Sequence, residues 1–213
     1  MRNFRRHSSR HGVTQFFGNF ASLDLELFTL PSEADFLRDC QNMTNKILET
    51  VRLLLMDVDG VLTDGSIVYS GDGPQTMRFN VKDGLGIRML QDAGVIVGII
   101  TGRKSAALSR RMRELGVAMC FDGVSDKGAL LEQILIDTGL TAPAVAFIGD
   151  DLPDLSIMKR VGVPIAVADA EPDVKKSAAI VTARRGGNGA VREVCDAILQ
   201  AKNLWSGVLK KWE

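Results

Sequence analysis

Four short runs of this sequence hold most of the side chains that could do chemistry. They are Asp57-Val58-Asp59-Gly60-Val61-Leu62-Thr63-Asp64, then Thr101-Gly102-Arg103, then Lys127, and last Gly149-Asp150-Asp151-Leu152-Pro153-Asp154. Carboxylates that meet at one place repel each other and resist leaving water unless a cation joins them. Magnesium suits such a set, because it takes oxygen ligands and keeps water and substrate phosphate in its shell. Alternate side chains leave a strand on opposite faces, but a turn beginning at Asp59 can swing both Asp57 and Asp59 into one pocket. One carboxylate can then attack phosphorus while the other handles protons. The Thr101 hydroxyl and the Lys127 ammonium suit the oxygens of a transferring phosphoryl group, where negative charge builds up. Singly, these residues have plainer readings: Asp59 or Asp154 as a helix cap, Thr101 as a strand end, Lys127 as a solvated lysine. Those readings lose force when the whole set is taken together.

The elements around them must bring the four runs to one place. From Val51 onward, short apolar runs (VRLLLMDV, VIVGIIT, VAMCF, AVAFIGD, PIAVA, AAIVT) alternate with segments of helical spacing. Leu108, Met112 and Leu115 make one apolar helix face; Leu131, Ile134 and Leu135 make a second; Val191, Val194 and Ile198 make a third. Continuous apolar strands alternating with helices predict a parallel, Rossmann-like sheet covered on both faces, an α/β three-layer sandwich. In such sheets ligands bind beyond the carboxyl ends of the strands, which is where the polar runs fall. Ser66 to Asn80 breaks the alternation, with two short β-like runs around Gly71-Asp72-Gly73-Pro74. It predicts a projecting hairpin whose edges need cover.

Bulk properties set the outer limits. A chain of 213 residues with 46% apolar and 24% charged residues supports one domain with a substantial core. Its 26 basic and 26 acidic residues cancel, which argues against a dedicated nucleic-acid binder. Cys40, Cys120 and Cys195 form no CxxC pair or Cys/His cluster, so reduced thiols in the cytoplasm are the expectation. No apolar stretch approaches the ~20 residues of a membrane span. Residues 1–48 are set apart as a poorly ordered extension, 49–203 as the catalytic domain and 204–213 as a tail. From Met1 to Ser22 the extension lacks acidic residues while Arg2, Arg5, Arg6 and Arg10 recur. It admits three readings: an arm without function (or translation from a start upstream of Met43), a targeting segment, or a partner contact.

DVDGVLTD, IITGR, Lys127 and GDDLPD, in that order, resemble the four motifs of the haloacid dehalogenase superfamily of phosphatases. The resemblance implies that Asp57 forms an aspartyl-phosphate and that Asp59 protonates the leaving group and then activates water. It implies magnesium on Asp57, on the backbone carbonyl of Asp59 and on Asp150. Asp151 and Asp154 would support the ion from behind, and Thr101 and Lys127 would hold the phosphoryl group. The gaps between motifs leave no room for a cap domain beyond the hairpin.

FNVKDGLGIRML, TGRKS, the run from Gly149 to Ala168 and GGNGAVREVCDAIL resemble a narrower family, the 3-deoxy-D-manno-octulosonate 8-phosphate phosphatases. That resemblance spans Leu53 to Leu199. It implies a capless homotetramer whose hairpins assemble and whose neighbouring subunits close each site. The substrate would be a phosphorylated eight-carbon acid sugar on the way to bacterial lipopolysaccharide. It would lie against Asp59, Asn80, Val81, Lys82, Asp83, Gly84, Arg88, Arg103, Arg111 and Lys127. Asn80, Lys82 and Asp83 offer hydrogen bonds to hydroxyls, and the arginines suit a carboxylate through their planar fork. Arg88 and Arg111 also read as solvated helix faces. Gly186-Gly187-Asn188-Gly189 reads either as a plain loop or as a segment near a neighbour's site, and Trp205 and Trp212 in the tail suit an interface. Two alternatives stay open: a phosphatase for a related acid-sugar phosphate, and a non-catalytic assembly module of the same fold.

Overall fold

Leu53, Leu54, Leu55 and Met56 are apolar toward both faces and all four are fully buried, as a strand covered on both sides requires. They form β1 (Leu53–Met56) at the centre of a six-stranded parallel sheet in a computed structural model that describes residues 32–69 and 76–213. The other strands are β2 (Ile96–Ile100), β3 (Met119–Phe121), β4 (Val145–Gly149), β5 (Val163–Ala166) and β6 (Ile180–Val181). Their order is β3-β2-β1-β4-β5-β6. Met56 lies in register with Ile99 on one side and Ile148 on the other, so the polar runs after three strands start at one level.

The chain reaches one edge through β1, β2 and β3, then returns across β1 to build the other half. Right-handed crossovers therefore put the two sets of connecting helices on opposite faces. α2 (Val81–Asp92) and α3 (Ala106–Leu115) pack together, and α2 also packs on α7 (Ala190–Ala201), which carries α1 (Glu33–Glu49). α4 (Lys127–Thr138), α5 (Leu155–Met158) and α6 (Pro172–Ser177) form the opposite layer. The apolar helix faces expected at Leu108, Met112 and Leu115, at Leu131 and Ile134, and at Val191, Val194 and Ile198 are all buried. Leu135 is partly buried against the core. The chain ends in a short α8 (Trp205–Leu209), with Val208 buried and Trp212 exposed.

The stretch between β1 and α2 pairs with itself at one antiparallel bridge, Val68 to Thr76. The expected turn at Gly71–Pro74 lies outside the described residues. Neither that stretch nor the β2–β3 connection contains a cap domain among the described residues. Likewise, no helix of the described residues is long and apolar enough to cross a membrane.

Candidate active site at the strand ends

The strand order reverses between β1 and β4, so the loops after these two strands part from each other and leave a crevice. Asp57 follows β1 directly and Asp150 follows β4 directly. Asp126 accepts a hydrogen bond from Ala129 N at 3.1 Å and so caps α4, which delivers Lys127 on its first turn. Lys127 is 5% exposed, and its Nζ lies 2.8 Å from Asp57 Oδ1 and 2.7 Å from Asp154 Oδ1. Asp154 is itself buried, and its Oδ2 accepts from the N–H groups of Asp150 (2.9 Å) and Asp151 (3.4 Å). Asp151 in turn accepts from Leu152 N at 2.7 Å, which fixes the turn after β4.

Asp57, Asp150 and Asp154 each bring a carboxylate oxygen to within 4.8 Å of the others. Three carboxylates around one ammonium leave a surplus of negative charge with little water to spread it. Burial, together with Asp154 and against the pull of Lys127, raises the Asp57 pKa to about 6. Burial, then the charges of Asp154, Asp57 and Asp151, raise Asp150 to about 8. Burial works against the charge of Lys127 as well, but Asp154 and Asp57 outweigh it and hold its pKa above the ordinary lysine value.

A divalent cation fits this cluster. Asp150 Oδ1 is buried with no hydrogen-bond partner, a costly state for a carboxylate oxygen that an ion would relieve. Both Asp154 oxygens are engaged, by Lys127 and by two amides, which leaves Asp57 and Asp150 as the carboxylates with free ligating capacity. Gly60, with φ of +86°, turns the chain beside them, and a Cβ there would sit 2.0 Å from Asp150 Oδ2. Only glycine gives both that backbone conformation and that clearance.

Asp59 stands outside the three-carboxylate group. Its carboxylate is 30% exposed and lies 3.7 Å from Arg103 Nε. The two residues line a small cleft with Thr101, Ser105, Thr76 and Met77, between the strand ends and the base of the 66–80 stretch. Thr101 is buried, and its Oγ1 accepts from Arg103 N at 3.3 Å.

The remaining sequence candidates lie along α2 and α3. Asn80 caps α2 by accepting from Lys82 N at 2.8 Å, and its Nδ2 donates to Gly187 O at 3.3 Å. Val81 and Lys82 are exposed. Asp83 differs from the expectation of a substrate contact. Its carboxylate is 1% exposed and accepts from Arg192 N at 2.8 Å and Gly189 N at 3.3 Å, so it is spent fastening α2 to the start of α7. Gly84 gives room to Arg111, whose Nη2 lies 2.3 Å from where a Cβ would be. Arg111 also pairs with Glu114 at 3.5 Å, and Arg88 donates to Glu114 O at 3.4 Å. Arg88 and Arg111 thus lie along the α2–α3 seam, where both engage Glu114. Sequence reasoning did not single out Gly60, although it lies within the Asp57-Val58-Asp59-Gly60 run, because its need for glycine comes from Asp150, 90 residues on in the chain.

Known proteins of similar sequence and shape match this arrangement. Residues 122–194 match the haloacid dehalogenase-like hydrolase family. A 3-deoxy-D-manno-octulosonate 8-phosphate phosphatase of Yersinia pestis is 45% identical over 157 residues, covering 74% of this chain and 84% of that protein. The crystal structure of the phosphatase of that name from Moraxella catarrhalis, in complex with magnesium, phosphate and KDO, superposes with a TM-score of 0.79 at 39% identity, over 81% of this chain and 99% of that one. A cobalt-bound form of the Haemophilus influenzae phosphatase gives a TM-score of 0.71 at 42% identity, over 74% and 92% of the two chains.

The cluster electrostatics predict a pH profile for the metal-free protein. A carboxyl whose pKa is higher folded than unfolded takes up protons on folding, so stability falls as pH rises through the folded value. For Asp57 and Asp150 that loss starts above the ordinary 3.8 and ends near 6 and 8, respectively. In chelator, the melting temperature should fall between pH 5 and about pH 8, and magnesium at pH 8 should restore it. Thermal melts across that range check this; a flat profile with no magnesium response contradicts it.

Proposed function

The chain belongs to the 3-deoxy-D-manno-octulosonate 8-phosphate phosphatases, within the haloacid dehalogenase-like hydrolases, and from that premise we propose that it hydrolyses this sugar phosphate to the free acid sugar and phosphate with magnesium bound. The observation that carries the reading is the buried cluster of Asp57, Lys127, Asp154 and Asp150 at the switch point of the sheet. The reaction would serve synthesis of lipopolysaccharide inner-core sugars in the cytoplasm.

Lys127 holds Asp57 by Oδ1, which leaves the other oxygen to attack phosphorus. The bond from phosphorus to the sugar oxygen breaks as the aspartyl-phosphate forms. Asp59, at the cleft beside Arg103, gives its proton to the departing sugar oxygen, which leaves as a hydroxyl. It then takes a proton from water, which attacks the aspartyl-phosphate, frees phosphate and regenerates Asp57. Thr101 and Lys127 steady the phosphoryl oxygens as charge shifts onto them. Asp57, Asp150 and the Asp59 carbonyl would hold magnesium, which when bound supplies positive charge to the phosphoryl group. Asp154 keeps Lys127 in line, and Asp151 keeps the turn that carries Asp150.

The same reading extends to assembly as a homotetramer. Ile67 (46% exposed), Val68 (52%) and Tyr69 (74%) put apolar surface on the hairpin base, which self-association would cover. Arg103 sits at its own subunit's cleft. Asn80, Val81, Lys82, Arg88 and Arg111 would instead be turned toward the acid sugar in a neighbour's site, with Lys82 and the arginines supplying charge to its carboxylate.

Purified protein with magnesium should release phosphate from 3-deoxy-D-manno-octulosonate 8-phosphate at a kcat/KM about tenfold or more above that for a nine-carbon acid-sugar phosphate. Asp57→Asn, nearly isosteric, should keep the fold by circular dichroism and lose at least about a thousandfold in kcat. Turnover by Asp57→Asn, or in excess chelator, would remove the mechanism; an inactive wild type across the sugar-phosphate panel would favour the assembly-module alternative.

For the assembly, Thr76→Pro removes the N–H that closes the Val68 bridge at 3.4 Å. It should give monomers by light scattering, with KM for the sugar phosphate raised far more than the rate on a simple aryl phosphate is lowered. A tetrameric Thr76→Pro, or a wild-type monomer with full sugar-phosphate activity, contradicts the shared site.

A further inference from the structure

Outside the site itself, the loop before α7 is held more firmly than a plain connection needs. Asp169, between β5 and α6, accepts from Gly186 N at 2.9 Å and from Arg185 Nε at 3.0 Å. Thr182 Oγ1 donates to Arg184 O at 2.6 Å, and Glu193 accepts from the N–H groups of Ala183 and Arg184 at 2.8 and 3.0 Å. Asn188 closes the turn by donating to Gly186 O at 3.0 Å.

What this loop touches gives the anchoring its meaning. Gly187 N donates to Val61 O at 2.9 Å. Gly186 lies so close to the turn after β1 that a Cβ on it would sit 1.7 Å from the Gly60 carbonyl oxygen. Gly60 in turn backs onto the Asp150 carboxylate, whose Oδ2 would be 2.0 Å from a Cβ there. Asp169, Gly186, Gly60 and Asp150 thus make one line of contact. At its far end is the carboxylate with a buried oxygen lacking a partner.

We infer that Asp169 is a positioning residue for cation binding, acting through Gly186 and Gly60 on Asp150 and on the turn that presents the Asp59 carbonyl. The inference rests on the metal reading of the carboxylate cluster. Polar partners behind metal ligands commonly change metal affinity by about 10–100-fold when removed. Here the partner is a backbone loop instead of a side chain on the ligand.

Calorimetric titration of the metal-free protein with magnesium, without substrate, tests it. Asp169→Ala should weaken binding by about tenfold or more. Asp169→Asn, which keeps an oxygen for Gly186 N–H, should stay within about threefold of wild type. Arg185→Ala removes only a side chain that is 74% exposed and should leave affinity unchanged. Thr182→Val loosens the same loop from its other anchor, so it tests the idea should Asp169→Ala fail to fold; it too should weaken binding. In turnover, Asp169→Ala should recover most of its kcat in excess magnesium, which a general loss of structure would not allow. Wild-type affinity in folded Asp169→Ala, or in Thr182→Val where Ala cannot be purified, overturns the inference. So does an Arg185→Ala loss equal to that of Asp169→Ala. Wild-type protein that binds no magnesium would instead sink the metal reading on which the inference stands.

Discussion

A single buried ammonium, Lys127, holds the active end of this fold together. It lies between Asp57 and Asp154 at hydrogen-bond distance from both, with water nearly excluded. Charges so placed stabilise each other only as a set, because each alone would carry an uncompensated desolvation cost. The set ties three distant parts of the chain: the end of β1, the first turn of α4 and the turn after β4. Those parts can meet only because β1 is flanked by β2 and β4, with Met56 level with Ile99 and Ile148. The sheet brings the carboxylates together, and Lys127 makes their closeness tolerable.

The balance is incomplete, and function follows from that. Lys127 answers part of the negative charge of Asp57, Asp150 and Asp154; burial still raises the Asp57 pKa against its pull, burial and then the neighbouring carboxylates raise that of Asp150, and one Asp150 oxygen is left without a partner. A site left short of positive charge has a place for a divalent ion and for a phosphoryl group that comes with it. Close packing around Gly60 and Gly186 then decides how far the turn after β1 can shift. Stability and chemistry therefore draw on the same few residues.

The parts of this arrangement legible in the sequence are those written locally. β1, β2 and β4 appear as continuous apolar runs because both of their faces are buried. Asp57, Thr101 and Asp150 were found because each follows such a run directly. α3 and α7 announce themselves through Leu108, Met112 and Leu115 and through Val191, Val194 and Ile198. The rest depends on contacts between residues far apart in the chain. Asp83 reads as a polar residue for substrate, yet its partners are amides of Gly189 and Arg192. Gly186 reads as flexible, whereas what requires glycine there is the Gly60 carbonyl against it. α1 was not anticipated, because it falls in the stretch set apart as an extension; Leu48 near its end enters the core.

The claim on which these arguments rest is that Lys127 is the charge keeping Asp57 and Asp154 buried side by side. Lys127→Met keeps the length of the side chain and removes only the ammonium. Urea unfolding at neutral pH in chelator should then show a loss of about 3–5 kcal/mol, the cost of leaving buried charges without their partner. A loss below about 1 kcal/mol would mean that the surface ion-pair scale applies and that Lys127 does not hold the site together.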